Sequence, residues 1–210
     1  MSTDKIDWEQ LYRDKFTPWD CKRPDSHLVE AVTNMPIKPC RALELGCGTG
    51  TNAIWLAEQG FTVIATDISE TALAIAKKKK GIGKCTLLLT DFLEDPLPGT
   101  DFEFVFDLGC FHGFDKPENR DLFARRVSQC LASGGCWLNI SSSADGEAFC
   151  PRRISASDIS MAVEPYFEIV SLAATYLDDL SKEDKEALGI ASGIVPRAWS
   201  CFMRKRSCEE

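Results

Sequence analysis

The chain has 210 residues, of which 44% are hydrophobic and 27% are charged, and its formal net charge is −8 at neutral pH. This length predicts one domain, residues 1–210, and the composition excludes a disordered or fibrous chain. The acidic balance argues against a nucleic-acid binder, because neutralising phosphates requires a basic surface.

Cysteine content and hydropathy bear on the compartment. No apolar run approaches the ~18 residues of a membrane span, and the chain starts without an apolar signal-peptide core. The ten cysteines include no C-x-x-C pair, and His27 and His112 are the only histidines, so no zinc pattern is recognisable. We expect a cytoplasmic protein with mostly reduced thiols, no metal site and no membrane partner.

The first 35 residues predict a helical entry segment. Trp8, Leu11 and Tyr12 have helical spacing, and residues 17–20 interrupt the pattern with a turn. A second amphipathic piece follows from Ser26, which we predict as its N-cap.

From Arg41 onward, apolar strands alternate with helices. The pattern predicts strands at 42–45, 61–66, 85–90, 102–107 and 136–140, and helices at 51–59, 69–80 and 117–131. This alternation is typical of βαβ units in a mostly parallel sheet. After a helix near 157–163, the strands predicted at 166–175 and 198–204 lack a crossover repeat, so we expect them to pair antiparallel at one sheet edge.

A glycine-rich turn follows the first of these strands. Residues 44–50 read Glu-Leu-Gly-Cys-Gly-Thr-Gly, and such glycines allow the backbone to turn tightly and approach a ligand. A dinucleotide fingerprint would need glycine or alanine where Thr51 stands. The carboxylate of Glu44 would repel a pyrophosphate and attract a cationic amino group.

Acidic residues also end the next two strands. Asp67 ends the second strand, where a carboxylate can accept hydrogen bonds from both ribose hydroxyls. Asp91 ends the third strand, where it can accept one from an adenine amino group, and the ring of Phe92 can pack on the base. Each feature has a structural explanation by itself, but their coincidence at successive strand ends indicates a ligand site.

The sequence resembles the class I S-adenosylmethionine-dependent methyltransferases at residues 44–50, at Asp67, at residues 90–92 and in the terminal strand pair. The resemblance covers residues 40–205, with residues 1–35 as an additional entry segment. It implies an α/β fold, with a doubly wound, Rossmann-like sheet of seven mostly parallel strands, the last strand antiparallel, and helices on both faces. It also implies S-adenosylmethionine as the cofactor and methyl transfer as the reaction.

The resemblance further implies the cofactor contacts. The methionine part would lie on Glu44 and the backbone of residues 46–50, with Leu108 flanking it, the ribose on Asp67, and the adenine beside Asp91. The full set expected by resemblance is Trp19, Glu44, Gly46, Cys47, Gly48, Gly50, Asn52, Asp67, Ile68, Asp91, Phe92 and Leu108.

The segment after the fourth strand bears on the methyl acceptor. Residues 107–114 lack the Asn/Asp-Pro-Pro-aromatic motif of enzymes that methylate amino groups of DNA bases or glutamine. They resemble the thiopurine-methyltransferase and tellurite-resistance-like group, as do Trp8, Tyr12 and residues 17–20, a segment that covers the cofactor as a lid in that group. This implies a small-molecule acceptor, preferably a thiol, selenol or related soft anion. For Trp19, a hydrophobic staple of the N-terminal helix is the alternative to a lid.

His112 and Arg152 are the candidate catalytic residues. His112 follows the fourth strand, beside the expected sulfonium, and could act as a base, or be a structural histidine bonded to the backbone. Arg152 follows the fifth strand and could bind an anionic acceptor or stabilise a thiolate, or lie in a solvated loop. The lysines at 77–80 are predicted as a solvated helix end.

Other functions stay open from the sequence. The same fold could methylate a carboxylate, an amine or a trivalent metalloid, and arsenite methylation would need Cys21, Cys110 and Cys150 to converge. A third hypothesis is a protein that binds the cofactor without turnover. The sequence does not predict the oligomeric state.

Overall fold

The computed structural model describes residues 6–34, 37–145, 152–178, 181–187, 190–191 and 194–207. Its strands are β1 (Arg41–Leu45), β2 (Thr62–Asp67), β3 (Cys85–Leu89), β4 (Phe102–Leu108), β5 (Leu131–Ser142), β6 (Phe167–Tyr176) and β7 (Arg197–Lys205). They form one sheet in the order β3-β2-β1-β4-β5-β7-β6. Strands β1 to β5 are parallel, and β7 is antiparallel to both β5 and β6. The predicted fold class and the antiparallel terminal pair are confirmed.

Helices cover both faces of the sheet. They are α1 (Trp8–Arg13), α2 (Ser26–Asn34), α3 (Thr51–Glu58), α4 (Glu70–Ala76), α5 (Pro117–Cys130), α6 (Ala156–Val163) and α7 (Lys182–Ala187). On one face, Leu28 of α2 and Leu56 of α3 share a core with Phe104, and on the other Phe123 of α5 shares a core with Val105. Each of these fully buried side chains contributes about 1.5–3 kcal/mol, so the two apolar layers hold the sheet between them.

The carboxyl ends of six strands meet at one edge of the sheet. Strands β1 to β5 run in the same direction, and β6 does too, because β6 and β5 are both antiparallel to β7. The loops after β1 to β6 therefore lie at this edge, where open α/β sheets bind their ligands.

Three predicted element ends are wrong. The N-cap of α2 is Asp25 rather than Ser26, because Asp25 Oδ1 accepts the N–H of Leu28 at 3.1 Å. Helix α4 ends at Ala76, so the lysines at 77–80 follow it. Strand β5 begins directly after α5 at Leu131, and its two glycines lie inside it, where the pairing register with β4 shifts. Glycine tolerates such an irregularity because it adopts backbone conformations that other residues avoid. Of the helices in the described ranges, none is both long enough and apolar enough to cross a membrane.

Candidate cofactor and acceptor site

The loop after β1 has a conformation that requires glycine at two positions. Gly46 and Gly48 have φ angles of +67° and +54°, in the left-handed region. A Cβ atom on Gly46 would lie 3.2 Å from Cβ of Cys110, and one on Gly48 would lie 2.6 Å from Oη of Tyr12. Gly50 is the N-cap of α3, with φ of +77°. The loop is therefore packed closely against α1 and the segment after β4.

The substitution Gly48→Ala tests this packing. The new methyl group would displace Tyr12 and strain the backbone, so we expect the affinity for S-adenosylhomocysteine to fall about tenfold or more. Gly134→Ala is the matched control, because Gly134 has a similar φ of +72° but no atom within 4 Å of its Cβ position. Equal losses of affinity, measured by calorimetry, would contradict a specific contact between Tyr12 and the loop.

Asp67, at the end of β2, is bound by two backbone amides. Its Oδ2 accepts the N–H of Gly48 at 2.7 Å, and its Oδ1 accepts the N–H of Ser69 at 2.8 Å. Burial raises the pKa of the Asp67 carboxyl above its ordinary value, and these amide donors oppose the rise. Asp67 thereby joins the glycine loop to the start of α4, at the edge where the ribose is expected.

Glu44, near the end of β1, is buried, and one of its two carboxylate oxygens accepts no hydrogen bond from the described residues. This oxygen is Oε2. Burial raises the pKa of Glu44 to about 8, although hydrogen bonds from the Asn52 side chain and the Ala53 amide act in the opposite direction. Beside it, Cys47 is a buried thiol whose pKa is raised well above its ordinary value by burial. An unpaired buried carboxylate is costly, so a cation at this point would stabilise it.

The residues expected around the adenine differ from one another in burial and in their contacts. Asp91 follows β3, and its Oδ1 accepts the N–H of Leu93 at 3.0 Å. The ring of Phe92 is buried, with its centroid 5.0 Å from that of Phe123, so it packs within the protein core. Ile68 is 41% exposed and lines a cleft of about 320 Å³ with part of α1. Ile68 is therefore better placed than Phe92 to pack on a base. Leu108 is half-buried at the end of β4.

The entry segment lies over the glycine loop through an aromatic cluster. Trp19 stands edge-on to Trp8 and Tyr12, with ring centroids 5.3 and 6.0 Å apart. Its Nε1 donates to Oη of Tyr12 at 3.2 Å, and that hydroxyl group lies against Gly48. This placement favours the lid interpretation of Trp19 over a staple confined to the N-terminal helix.

Polar contacts anchor the entry segment at two further points. The carboxylate of Glu9 accepts hydrogen bonds from Ser69 Oγ at 2.6 Å and from Thr71 Oγ1 at 2.7 Å at the start of α4. These bonds lower the pKa of Glu9 to about 2. Asp20 accepts a hydrogen bond from Thr49 Oγ1 at 2.6 Å. The segment is therefore held against both the β1 and the β2 loops.

Lys79 is not the solvated residue that the sequence predicts. Its Nζ donates to Thr51 Oγ1 at 2.8 Å and also to Thr49 Oγ1, and it lies 4.0 Å from Asp20. The chain turns after α4 and brings this lysine back to the start of α3. Lys79 thus contributes a positive charge beside the glycine loop.

Asp107, in β4, is a buried carboxylate that no sequence motif singles out. It accepts hydrogen bonds from the Phe111 amide at 3.0 Å, from Trp137 Nε1 at 2.8 Å and from Asn139 Nδ2 at 3.0 Å. Burial raises the pKa of Asp107 to about 6 against these donors. The bond to Phe111 fixes the helical turn Phe111–Gly113 at the edge of the sheet.

The geometry of His112 does not favour a general base. Its Nδ1 accepts the N–H of Ser142 at 3.0 Å, which uses the one lone pair of a neutral imidazole and places the ring proton on Nε2. Burial lowers the pKa of His112 to about 4. The backbone-bonded alternative therefore describes this histidine.

Arg152 bridges two loops instead of facing solvent. Its Nη1 donates to the carbonyl oxygen of Gly113 at 2.8 Å and lies 3.0 Å from Oδ2 of Asp115. Because its charge is paired with Asp115, Arg152 is better suited to hold the turn after β4 than to attract an anionic acceptor.

The metalloid hypothesis gains no support. Cys150 lies outside the described residues, and Cys110 is half-buried, with the pKa of its thiol raised well above the ordinary value by desolvation. Within the described ranges, no three histidine, cysteine or acidic side chains cluster as metal ligands would.

The connection between β6 and β7 also reaches this edge of the sheet, which no pattern in the sequence predicts. Asp178 accepts hydrogen bonds from the amide and hydroxyl groups of Ser26, at 3.0 and 2.6 Å. These residues are 152 positions apart, so no local pattern could have paired them. The contact fixes the start of α2 beside the same edge.

Comparisons with known proteins show the family of the chain. The model of the "Methyltransferase domain" family matches residues 42–135. The chain is 28% identical, over 187 residues, to the probable thiol methyltransferase 2 of Arabidopsis thaliana and to thiocyanate methyltransferase 1 of Brassica oleracea, and each alignment covers 87% of this chain and 82% of the relative. It is 30% identical to an uncharacterized methyltransferase of Schizosaccharomyces pombe over 98 residues, which are 46% of this chain and 68% of the relative.

The chain belongs to the class I S-adenosylmethionine-dependent methyltransferases. A solved structure described as concerning the conversion of a disulfide bond into a thioacetal group during echinomycin biosynthesis has the same fold as this methyltransferase. The TM-score is 0.78 at 19% identity, and the match covers 97% of this chain and 92% of the other.

The residues of the methyltransferase fit S-adenosylmethionine at Glu44. The amino-acid part of this cofactor carries an ammonium group, and a buried carboxylate oxygen without a partner is the complement of such a cation. The glycine loop beside it has no room for a Cβ atom at Gly46 or Gly48, because Cys110 and Tyr12 already lie against these two positions.

Proposed function

We propose that this methyltransferase transfers a methyl group from S-adenosylmethionine to a small thiol or a related soft anion. The observation that carries the proposal is the hydrogen bond from Ser142 to His112 Nδ1, which makes the ring a donor rather than a base. A thiol, with a pKa of about 8.5, is already a few per cent thiolate at neutral pH, and this reactive fraction forms without a protein base. The two plant relatives support the same class of acceptor.

In this proposal, the cofactor lies across the ends of β1 to β3. Glu44 and the backbone of residues 46–50 hold its amino-acid part, and Asp67 holds the ribose. Ile68 and Asp91 contact the adenine, and Trp19 belongs to the aromatic cover. The glycine loop contributes its backbone rather than its side chains, through Gly46, Cys47, Gly48 and Gly50. Leu108 flanks the methionine end of the cofactor.

The protein contributes alignment and exclusion of water. When bound, S-adenosylmethionine supplies a methyl group on a sulfonium, which the acceptor takes by in-line displacement. Trp8, Tyr12 and Trp19 cover the glycine loop and keep water out. The Phe111–Gly113 turn, fixed by Asp107 and Arg152, faces Trp8 and forms the acceptor side, since a Cβ on Gly113 would lie 3.8 Å from the Trp8 ring.

The substitution His112→Asn tests the absence of a base at this position. The Oδ1 atom of asparagine can accept the Ser142 N–H as Nδ1 does, so we expect kcat/KM for a thiol to stay within about fivefold of the wild-type value. Loss of a general base would instead lower kcat/KM by roughly 10²–10⁴-fold. His27→Asn is the control for loss of an imidazole elsewhere in the protein. If kcat/KM falls a hundredfold or more in His112→Asn but not in His27→Asn, His112 acts as a general base.

Three acceptors that share one alkyl group, together with thiocyanate, test the function itself. The purified protein is given S-adenosylmethionine with the alkyl thiol, the corresponding carboxylate, the corresponding amine, or thiocyanate, and the release of S-adenosylhomocysteine is measured. We expect turnover of the thiol and of thiocyanate at least about tenfold above that of the amine and carboxylate. Preference for the amine or the carboxylate would overturn the proposed acceptor, as would no turnover of any of them.

A further inference from the structure

A chain of three polar groups runs from the start of α2 to the cofactor loop. The backbone N–H of Asp25 donates to Oδ1 of Asn52 at 2.9 Å. The side chain of Asn52 and the amide of Ala53 in turn lie beside the carboxylate of Glu44, and as hydrogen-bond donors both lower its pKa. Glu44 Oε2 is the atom that this chain leaves without a partner among the described residues. Asn52 is therefore the link between the entry region and the bare oxygen.

The bond to Asp25 decides which end of the Asn52 amide faces Glu44. A side-chain amide has one acceptor end and one donor end. Because Oδ1 accepts a backbone N–H, the NH₂ group is the end left to bond the carboxylate. Asp25 is itself fixed as the cap of α2, through its bond from Leu28. The amide of Asn52 is thus oriented by the backbone and cannot flip without losing a bond on each side.

The charged and titratable groups around Glu44 come from four elements. Asp67, at the end of β2, repels the Glu44 carboxylate, and Lys79, after α4, attracts it. Two thiols, Cys47 in the glycine loop and Cys85 at the start of β3, also interact with it electrostatically. None of these four is the hydrogen-bond donor that Asn52 is, so Asn52 is the side chain that fixes the direction of the carboxylate.

We propose that Asn52 is a positioning residue that turns Glu44 Oε2 toward the ammonium group of the cofactor's amino-acid part. This inference rests on the proposed function, because it takes Glu44 as the receptor of that ammonium group. Asn52 does not touch the cofactor in this account, which changes the direct contact expected from the resemblance. The hydrogen bond from Asn52 also favours the ionised form of Glu44, the form that attracts a cation.

The test compares two ligands on two proteins. The ligands are S-adenosylhomocysteine and its deaminated analogue, in which hydrogen replaces the amino group, and their dissociation constants are measured by calorimetry. For Asn52→Ala we expect about a tenfold loss of affinity for S-adenosylhomocysteine, as for one hydrogen bond to a charged group, and less than about a twofold change for the analogue. Equal losses for both ligands would show a merely structural role and overturn the proposal.

Two further variants complete the design. Glu58→Ala, at the exposed end of α3, is the control for an alanine substitution on the same helix and should bind both ligands as the wild type does. In a Glu44→Gln background, Asn52→Ala should cause no further loss of S-adenosylhomocysteine affinity, because the carboxylate through which it acts is gone. An additional tenfold loss there would overturn the proposal.

Failure of this inference is distinguishable from failure of the proposed function. Wild-type protein that binds both ligands with equal affinity overturns the role of Glu44 and Asn52, whether or not thiols are methylated. Wild-type protein that prefers S-adenosylhomocysteine in an Asn52-dependent way, yet methylates no thiol, supports the inference and overturns the proposed acceptor.

Discussion

Replacing Asp67 with alanine is expected to weaken the binding of S-adenosylhomocysteine by about a hundredfold. The carboxylate accepts the amides of Gly48 and Ser69, so it stands at a fixed place at the end of β2. Two hydrogen bonds from ribose hydroxyls to a charged group contribute about 1.5–3 kcal/mol each, and their loss corresponds to at least this factor. Calorimetric titration of the purified variant measures the effect.

The controls separate binding from folding. Glu103→Ala removes the same charge near the start of β4, at the opposite end of the strands, and should leave the affinity unchanged. An analogue of S-adenosylhomocysteine without ribose hydroxyls should bind the wild type and Asp67→Ala within about threefold of one another. If the variant loses as much affinity for this analogue as for the parent ligand, Asp67 supports the loop and does not hold the ribose.

The Glu44→Gln variant is expected to be more stable and to bind the cofactor less well. Burial raises the pKa of Glu44 from 4.5 to about 8. Between these values the folded protein retains a proton that the unfolded chain releases, so the free energy of unfolding falls as the pH rises through this window. Glutamine cannot ionise, so the variant avoids this loss, but it also lacks the charge that attracts the ammonium group.

Urea denaturation without ligand at pH 5.5 and pH 8 tests the stability half of this prediction. We expect the wild type to lose about 3 kcal/mol more than Glu44→Gln between the two values. A residual decline in the variant is expected, because burial also raises the pKa of Asp67 and of Asp107. Equal declines in the two proteins would contradict a protonated Glu44 in the free enzyme. S-adenosylhomocysteine should bind the variant at least about tenfold more weakly.

The fold and the cofactor edge are predictable because their signals are local. Apolar strands alternating with helices predict a parallel sheet, and the glycine loop follows directly from its first strand. Asp67 and Asp91 are found because each ends a strand, and strand ends of a parallel sheet meet at one edge.

The remaining features depend on contacts between distant segments. The bond between Ser26 and Asp178 spans 152 positions, and Lys79 reaches back 30 positions to Thr49. The sequence places His112 near the site, but only the position of the Ser142 amide shows that Nδ1 is an acceptor. Such pairings follow from tertiary packing, which no local pattern encodes.

The most direct test of methyl transfer without a protein base is the pH dependence of kcat/KM for two thiols of different acidity, one aromatic and one aliphatic. If the acceptor ionises by itself, each profile should follow the thiolate fraction of its own thiol, so the two curves should be displaced along the pH axis by the difference in thiol pKa. Two curves with the same inflection, set by a group of the protein, would contradict the account.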